Sequence, residues 1–173
     1  MNKICLLLMV VLCVSHASAQ DPFLKYRNQY ECAYQYIKNK IGEKKCTISH
    51  NIVDLDRWFF ANKLKDMPDK DSILQSYSLT HLVFEDDIYS EEIVKMQGET
   101  PKRPDCVLFF SPMSDDMITV QVVPFHKRRH KLKDVDNYKW LSSQNTVDAY
   151  LFVFSEEGCL IKTIISENVR FCF

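Results

Sequence analysis

Glycine is scarce in this sequence: the chain holds three among its 173 residues, so a glycine-rich loop for a phosphate or a dinucleotide has no place in it. The nucleophile motif G-x-S-x-G, the zinc motif H-E-x-x-H and the pair C-x-x-C are also missing. The adjacent carboxylates Asp86–Asp87 and Asp115–Asp116 fall at expected turns, where aspartate is favoured for backbone reasons. We therefore predict a protein without enzymatic activity, metal or cofactor.

An excess of charge of one sign is lacking as well, because 22 lysines and arginines stand against 23 aspartates and glutamates. A formal net charge of −1 gives no global field that would attract nucleic acid, so no nucleic-acid partner is expected. The local exception is the basic run from His126 to Lys133, which Asp134 and Asp136 follow at once. Such a run is typical of a solvated loop or an edge strand, with contact to heparin or another acidic surface as the alternative.

The N-terminus has the three parts of a secretory signal peptide. Lys3 supplies the positive charge, residues 5–14 form an apolar core too short to span a bilayer, and Ala17-Ser18-Ala19 is a small-residue cleavage site. Residues 1–19 are therefore predicted to be removed, and no later apolar run is long enough for a membrane span. We expect a secreted, extracellular product of about 154 residues, which suits one domain.

Five cysteines remain after this cleavage: Cys32, Cys46, Cys106, Cys159 and Cys172. A secreted chain is expected to keep them in up to two disulfides with one thiol left over. Cys32 and Cys46 flank the end of a predicted helix and could link it locally, while the other pairings stay open at this point. The leftover thiol is expected to be buried, and a bond to another chain is the alternative.

Residues 20–52 are predicted to form a helical segment ahead of the β domain. Aromatic and apolar residues recur in it at spacings of three and four: Phe23, Tyr26, Tyr30, Ala33, Tyr34 and Ile37. Gly42 is the expected end of the helix. A stripe of this kind favours docking against the rest of the domain, and a recognition face is the alternative.

Residues 53–173 show short strand-forming runs separated by polar turns. The strongest signal is a hairpin in which residues 147–154 and 159–165 flank a polar turn, Ser155–Gly158. The other predicted strands are residues 58–65 (for which a helix is the competing interpretation), 77–85, 88–96, 105–111, 117–123 and 138–142. About eight sequential strands predict a mainly β fold, an up-and-down antiparallel sheet closed into a β-barrel. Such a barrel has room for one small ligand.

The stretch Leu55–Phe60 carries an aromatic motif around Trp58. It resembles the first-strand motif of the lipocalin (calycin) superfamily, in which a tryptophan plugs the closed end of the barrel. Asp56 stands where that motif usually has glycine. The family also has an arginine after the last strand that packs on this tryptophan, and Arg170 is the matching residue here.

A second stretch, residues 138–150, resembles the strand-turn-strand signature of the same family. Asp148 and Tyr150 match the later part of that signature. In the family a disulfide ties a strand in the middle of the barrel to the C-terminal tail. The resemblance therefore implies a disulfide between Cys106 and Cys172, and it leaves the fate of Cys159 open.

The resemblance implies that the barrel interior is the functional site, where the protein binds or carries a small hydrophobic ligand. In this family, side chains along each strand alternate between the interior and the exterior of the barrel. The resemblance therefore implies that the lining side chains are Phe60, Asn62, Leu64, Ile118, Val120, Val122, Leu151, Val153, Ile161, Thr163 and Ile165. Asn62 and Thr163 would orient the ligand, while the apolar members would bury its surface. The competing interpretation is that these large side chains fill the barrel completely.

An interaction module is the alternative from a different class. Residues 148–152 also resemble the Asp-x-Tyr-x-Cys corner of immunoglobulin domains, with Phe152 in the place of the cysteine. A β-sandwich of that kind, or a helix packed on a curved sheet, would bind a protein or cell-surface partner through its exterior.

Overall fold

The computed structural model describes residues 21–55, 57, 60, 63, 87–126 and 128–170. Within them lie four α-helices, one 3-10 helix and six strands. In chain order they are α1 (Pro22–Lys25), α2 (Arg27–Ile41), β1 (Cys46–Ile52), β2 (Ile88–Tyr89), α3 (Glu91–Lys95), β3 (Cys106–Phe110), β4 (Met117–Pro124), the 3-10 helix (Leu132–Asp134), α4 (Tyr138–Ser143), β5 (Thr146–Phe154) and β6 (Leu160–Arg170).

The six strands form one mixed sheet in the order β2-β1-β3-β4-β5-β6. β1 and β3 run parallel, and every other neighbouring pair is antiparallel. Among the described residues, β2 and β6 are the outer strands and do not pair with each other, so the sheet is open. The predicted β-rich chain with an N-terminal helix is confirmed. The closed up-and-down barrel is corrected to an open mixed sheet, and the helical segment predicted at 20–52 is corrected as well, because its last seven residues are strand β1 of that sheet.

The parallel pair and the burial of both sheet faces explain this correction. A parallel neighbour requires the chain to leave the sheet after β1 and to return before β3, which a strand-by-strand meander does not anticipate. All five residues of β3 and seven of the eight in β4 are buried. Burial without alternation is typical of a sheet covered on both sides, because neither face is left to water.

Helix α2 packs on one face of the sheet, as its aromatic stripe predicts. Its end at Gly42 is confirmed, and that residue has φ 65°, in the left-handed region that favours glycine. The Tyr30 hydroxyl donates a hydrogen bond of 3.0 Å to the Ser111 carbonyl at the end of β3. The buried face of α2 consists of Tyr30, Ala33, Tyr34 and Ile37. No described helix is long and apolar enough to cross a membrane.

Alternate residues of the strands supply two apolar layers, one on each face of the sheet. The layer beneath α2 includes Leu108, Phe110, Ile118, Val120, Tyr150 and Phe152. The layer on the opposite face includes Val107, Phe109, Met117, Val123, Ala149 and Leu151, which pack with Phe60 and with Tyr138 and Leu141 of α4. The domain therefore has two apolar layers, and the sheet lies between them.

Two segments predicted as strands are helices in the structure, apart from the short strand β2. Over residues 88–96, α3 begins where the Ser90 hydroxyl accepts a hydrogen bond from the Ile93 amide at 3.2 Å. Over residues 138–142, α4 begins where the Asn137 side chain accepts one from the Trp140 amide at 3.1 Å. The strand predictions were wrong because these capping residues favour a helix, while short apolar runs do not distinguish helix from strand.

The predicted hairpin of residues 147–165 is confirmed as β5–β6, and the strands predicted at 105–111 and 117–123 pair in a second hairpin, β3–β4. The β3–β4 turn contains Asp115 and Asp116 at φ 50° and 55°, a conformation that suits aspartate in tight turns. The β5–β6 hairpin turns between Phe154 and Leu160, and β6 continues to the end of the described chain. Outside the described residues lie the strand predicted at 77–85, most of the one at 58–65, and the predicted site residues Trp58, Asn62, Leu64 and Cys172.

One disulfide joins the described strands, and its pairing differs from both sequence expectations. Cys46 and Cys106 are register partners in the parallel pair of β1 and β3, with Cα atoms 4.5 Å apart, and they are bonded. This bond replaces the expected pairs Cys32–Cys46 and Cys106–Cys172. Cys32 lies on α2, in the layer next to the sheet, and it is a half-buried free thiol, while Cys159 is an exposed one. The expected pairings were wrong because the parallel neighbour relation brings the two strand starts together.

Candidate binding surface at the basic end of the sheet

The side chains predicted to line a ligand cavity lie on two different faces of the sheet. Ile118 of β4 is opposite Phe152 of β5, and residues opposite each other share a face. The layer beneath α2 therefore contains three members of the predicted set: Ile118, Val120 and Val122. Two others pack in the opposite layer: Leu151 and Val153. The sheet separates these two groups.

The predicted lining residues on β6 lie at the margin of the sheet. Thr163 and Ile165 are half-buried and face the α2 side, since their register partners are Phe152 and Tyr150. Ile161 is 66% exposed. Phe60 is fully buried in the layer that contains Leu151. The described members of the set thus occupy packed layers or the surface rather than one cavity.

Five strands place a terminus at the same end of the sheet. β1 and β3 begin there, because Cys46 and Cys106 are register partners, and β4 ends there, because Pro124 pairs with Cys106. β5 begins there beside β4, and β6 ends there, since Thr146 pairs with Arg170. Sequence segments that are far apart in the chain therefore meet at this end.

Among the described residues, four of these segments supply exposed basic side chains, and we call their common surface the basic end: Lys44, Lys45, Lys102, Arg103, Arg128, Arg129 and Arg170. Three acidic side chains lie among them: Glu43, Glu99 and Asp105. Backbone hydrogen bonds join the segments, from the Asp105 amide to the Lys45 carbonyl at 2.5 Å and from the Phe125 amide to the Asp105 carbonyl at 2.9 Å. Among the described residues of this end the basic side chains outnumber the acidic ones, to which the exposed Glu167 of β6 also belongs.

Acidic side chains occupy the opposite end of the sheet. The β3–β4 turn and the β5–β6 turn meet there, because the Phe154 amide donates a hydrogen bond of 2.8 Å to the Asp116 carbonyl. These turns expose Asp115, Asp116, Glu156 and Glu157. The two ends of the sheet therefore carry opposite charge, although the whole chain has a net charge of only −1.

Three open clefts lie at the basic end. One of about 570 Å³ is lined by Lys45, Glu99, Thr100, Pro101, Lys102 and Arg103. A second of about 530 Å³ is lined by Asp105, Phe125, His126, Arg128 and Arg129. A third of about 470 Å³ is lined by His126, Ser143, Gln144, Asn145, Thr146 and Arg170. Because His126 borders both the second and the third cleft, these two are neighbours.

Sequence reasoning found only part of this surface. It identified the basic run and Arg170, but it assigned Arg170 to packing on Trp58. The pairs Lys44–Lys45 and Lys102–Arg103 were not identified. The first pair precedes Cys46, which begins β1, and the second precedes Cys106, which begins β3. Basic pairs at several strand starts are the signal that could have suggested a common surface.

A closed turn from His126 to His130 holds the arginines of the second cleft. The amides of Arg129 and His130 donate to the His126 carbonyl at 2.8 and 2.9 Å, and the His126 amide donates to Nδ1 of His130 at 3.0 Å. The His130 ring is buried against Phe125 and Trp140, with ring centroids 5.2 and 4.9 Å away. The turn therefore depends on an unprotonated Nδ1 that can accept a hydrogen bond.

Protonation of His130 is expected to destabilise the fold. Burial is the main cause that lowers the pKa of His130; His126 and Arg129 lower it further, and Asp134 opposes them. The unfolded chain, with a histidine pKa of about 6.5, binds the proton first as the pH falls. His130 therefore contributes stability above about pH 6.5 that is lost as the pH falls through its folded pKa.

Urea denaturation at about pH 7.5 and about pH 5 tests this dependence on either side of the ordinary histidine pKa. The variant His130→Asn keeps an acceptor but does not titrate, so we expect its free energy of unfolding to fall less than that of the wild type. An equal fall in both proteins would contradict this role for His130.

A second polar cluster joins β1 to the loop after β4. Nδ1 of His50 is 3.2 Å from both carboxylate oxygens of Asp136, and its ring stacks on Tyr89 at 5.4 Å. Asp136 also accepts a hydrogen bond from the Ser49 hydroxyl at 3.0 Å. The described residues contain no group of three or more side chains that could hold a metal ion. The bonds of Asp136 serve to anchor the loop after β4 to β1.

Comparison with known proteins provides no relative for this chain: no family model, no curated protein and no solved structure matches it. The lipocalin resemblance therefore remains a hypothesis.

Proposed function

We propose that this chain is a secreted binding domain without enzymatic activity, and that its basic end binds an acidic macromolecule. The observation that carries the proposal is the convergence of four basic segments, which are far apart in the chain, on one exposed surface. Secretion belongs to the proposal because the signal peptide is a sequence prediction. The Cys46–Cys106 disulfide fits an oxidising compartment.

Segregated charge makes this surface effective in a nearly neutral protein. The potential near a cluster depends on the local charge, so the basic end attracts anions although the net charge is −1. The acidic turns at the opposite end repel the same partner, which orients its approach. Salt screens such exposed charges beyond about 10 Å at 0.1 M, so the affinity is expected to fall as the salt concentration rises.

Transport of a small hydrophobic ligand remains a sequence prediction with weaker structural support. Ile118 and Leu151, which were predicted to face the same ligand, pack in separate layers on opposite sides of the sheet. The open clefts at the basic end are lined mainly by residues with charged, amide or hydroxyl groups, although apolar atoms supply more of the exposed lining than polar atoms in the first and second clefts. The charged groups among these residues favour an anionic partner.

Removal of two arginines tests the proposal. We expect Arg128→Ala/Arg129→Ala to bind immobilised heparin and poly-glutamate about 10- to 30-fold more weakly than the wild type. The reason is that each basic side chain near a polyanion contributes on the order of 1 kcal/mol. The proteins are expressed with the native signal peptide and purified from the medium, and affinity is measured over a series of salt concentrations.

The matched control is Lys25→Ala/Lys162→Ala, which removes the same charge from two exposed sites away from the basic end. We expect this control to retain nearly the wild-type affinity. An equal loss in both double variants would show that only net charge matters, and that the basic end is not the binding surface.

A further inference from the structure

We propose that the acidic partner is a sulfated polysaccharide that lies across the basic end, over the termini of β1, β3, β4, β5 and β6. This inference rests on the proposed function of the basic end and names its partner. It depends on the length of the basic end, on the chemistry of its clefts and on the kinds of side chain exposed beside it.

The length of the basic end suits a linear polymer better than a single small anion. Neighbouring strands are about 4.8 Å apart, so the five strand termini from β1 to β6 extend over about 19 Å. Lys45 borders the cleft at the β1 side and Arg170 borders the cleft at the β6 side. An isolated sulfate or phosphate would reach only one of the three clefts, whereas a chain of several sugars would reach all of them.

The clefts offer two kinds of contact that a sulfated sugar chain needs. Arg128 and Arg129 in the second cleft, and Arg170 in the third, present planar guanidinium groups that donate paired hydrogen bonds to oxyanions. Beside Arg170 the third cleft has exposed hydroxyl and amide side chains that suit sugar hydroxyls: Ser143, Gln144 and Thr146. The basic end therefore offers cationic groups in all three clefts, and neutral polar groups are concentrated in the third cleft beside Arg170.

The exposed apolar side chains fit the other polyanions less well. A single-stranded nucleic acid stacks its bases on several aromatic faces, and an anionic membrane surface is bound by basic residues together with inserted apolar groups. Among the described residues near the basic run, the large exposed apolar side chains are Leu132 and Trp140. The Trp140 ring already contacts His130, and the exposed aromatic ring that borders two of the clefts is that of His126. The described residues of the basic end thus do not present the row of aromatic faces on which several bases stack.

Titration calorimetry with heparin oligosaccharides of increasing length tests the inference. We expect the affinity to increase with length until the chain extends over about 19 Å and then to level off. De-N-sulfated and de-O-sulfated heparin of the same length should bind at least about tenfold more weakly, because the guanidinium contacts are lost. Poly-glutamate, single-stranded DNA and phosphatidylserine vesicles are the competing probes.

Arg170→Ala tests whether the β6 side of the basic end contributes to binding together with the β4 side, where Arg128 and Arg129 lie. We expect the longest oligosaccharide to bind this variant about fivefold more weakly, for a loss on the order of 1 kcal/mol, with Lys162→Ala as the unchanged control on the same strand. The shortest oligosaccharide, which fills one cleft, should be less affected.

The outcomes separate this inference from the proposed function. Tighter binding of DNA, poly-glutamate or vesicles than of heparin, still lost in Arg128→Ala/Arg129→Ala, would overturn the polysaccharide and leave the basic end as the binding surface. An affinity independent of oligosaccharide length and of Arg170 would also overturn it. Heparin binding that Arg128→Ala/Arg129→Ala does not weaken would overturn the proposed function itself.

Discussion

Replacing Cys46 and Cys106 together with alanine is expected to lower the free energy of unfolding by about 4 kcal/mol. The disulfide closes a loop with a sequence separation of 60 residues, and it restricts the unfolded chain over that whole segment. It also links β1 and β3, the only parallel strand pair among the described residues of the sheet. Urea denaturation of the oxidised proteins measures the difference.

The control for this prediction is Cys159→Ser, since Cys159 is exposed and free. We expect its free energy of unfolding to stay within about 0.5 kcal/mol of the wild type. Non-reducing peptide mapping adds a direct check, because the structure requires one linked pair of peptides that contains Cys46 and Cys106. A linked pair containing Cys106 and Cys172 instead would contradict the structure and restore the pairing that the lipocalin resemblance implies.

Truncation of Phe152 is the second large effect, with an expected loss of about 3–5 kcal/mol for Phe152→Ala. The ring is fully buried beneath α2, where it contacts Tyr36 edge-on with centroids 5.4 Å apart. Its neighbours Leu151 and Phe154 are buried as well, so this strand has apolar contacts on both faces of the sheet. Thermal or urea unfolding of the variant gives the measurement.

Ile161→Ala is the informative control, because a closed barrel and an open sheet predict different results for it. Ile161 was predicted to line the ligand cavity, but it is 66% exposed on β6. In the open sheet its truncation should change the free energy of unfolding by less than about 0.5 kcal/mol. A loss of several kcal/mol would place Ile161 in an interior and contradict the open sheet.

The elements that were predicted correctly depend on local patterns. The stripe from Phe23 to Ile37 predicts both the helix and its buried face, and Gly42 predicts where the helix ends. The two hairpins were predictable because turn residues separate strand-forming runs, as at Asp115–Asp116. Each of these signals extends over only a few residues, so it does not depend on the rest of the fold.

The short helices α3 and α4 show where local patterns were misread. Their caps, Ser90 and Asn137, are visible in the sequence, but the apolar runs that follow them were assigned by composition. A capping side chain satisfies backbone amides that a strand would pair with a neighbour, and it therefore outweighs a weak strand preference. Attention to these two residues would have corrected both predictions.

The basic end was accessible to sequence reasoning only in pieces. The run from His126 to Lys133 is conspicuous, but alone it is typical of a solvated loop, and the balanced net charge argued against an electrostatic role. The pairs at Lys44 and Lys102 acquire significance only when β1 and β3 become parallel neighbours. Strand order, rather than charge content, determines whether these groups meet.

The sequence by itself determined the N-terminal helix with its docking face and the two hairpins, because hydrophobic spacing and turn residues act within a few positions. The tertiary structure decided the mixed strand order, the Cys46–Cys106 pairing, the burial of both sheet faces and the charge separation between the two ends. These properties depend on which distant segments become neighbours. The neighbours are chosen so that both sheet faces are buried together. The free energy of that burial depends on the whole domain, so a short stretch of sequence does not reveal it.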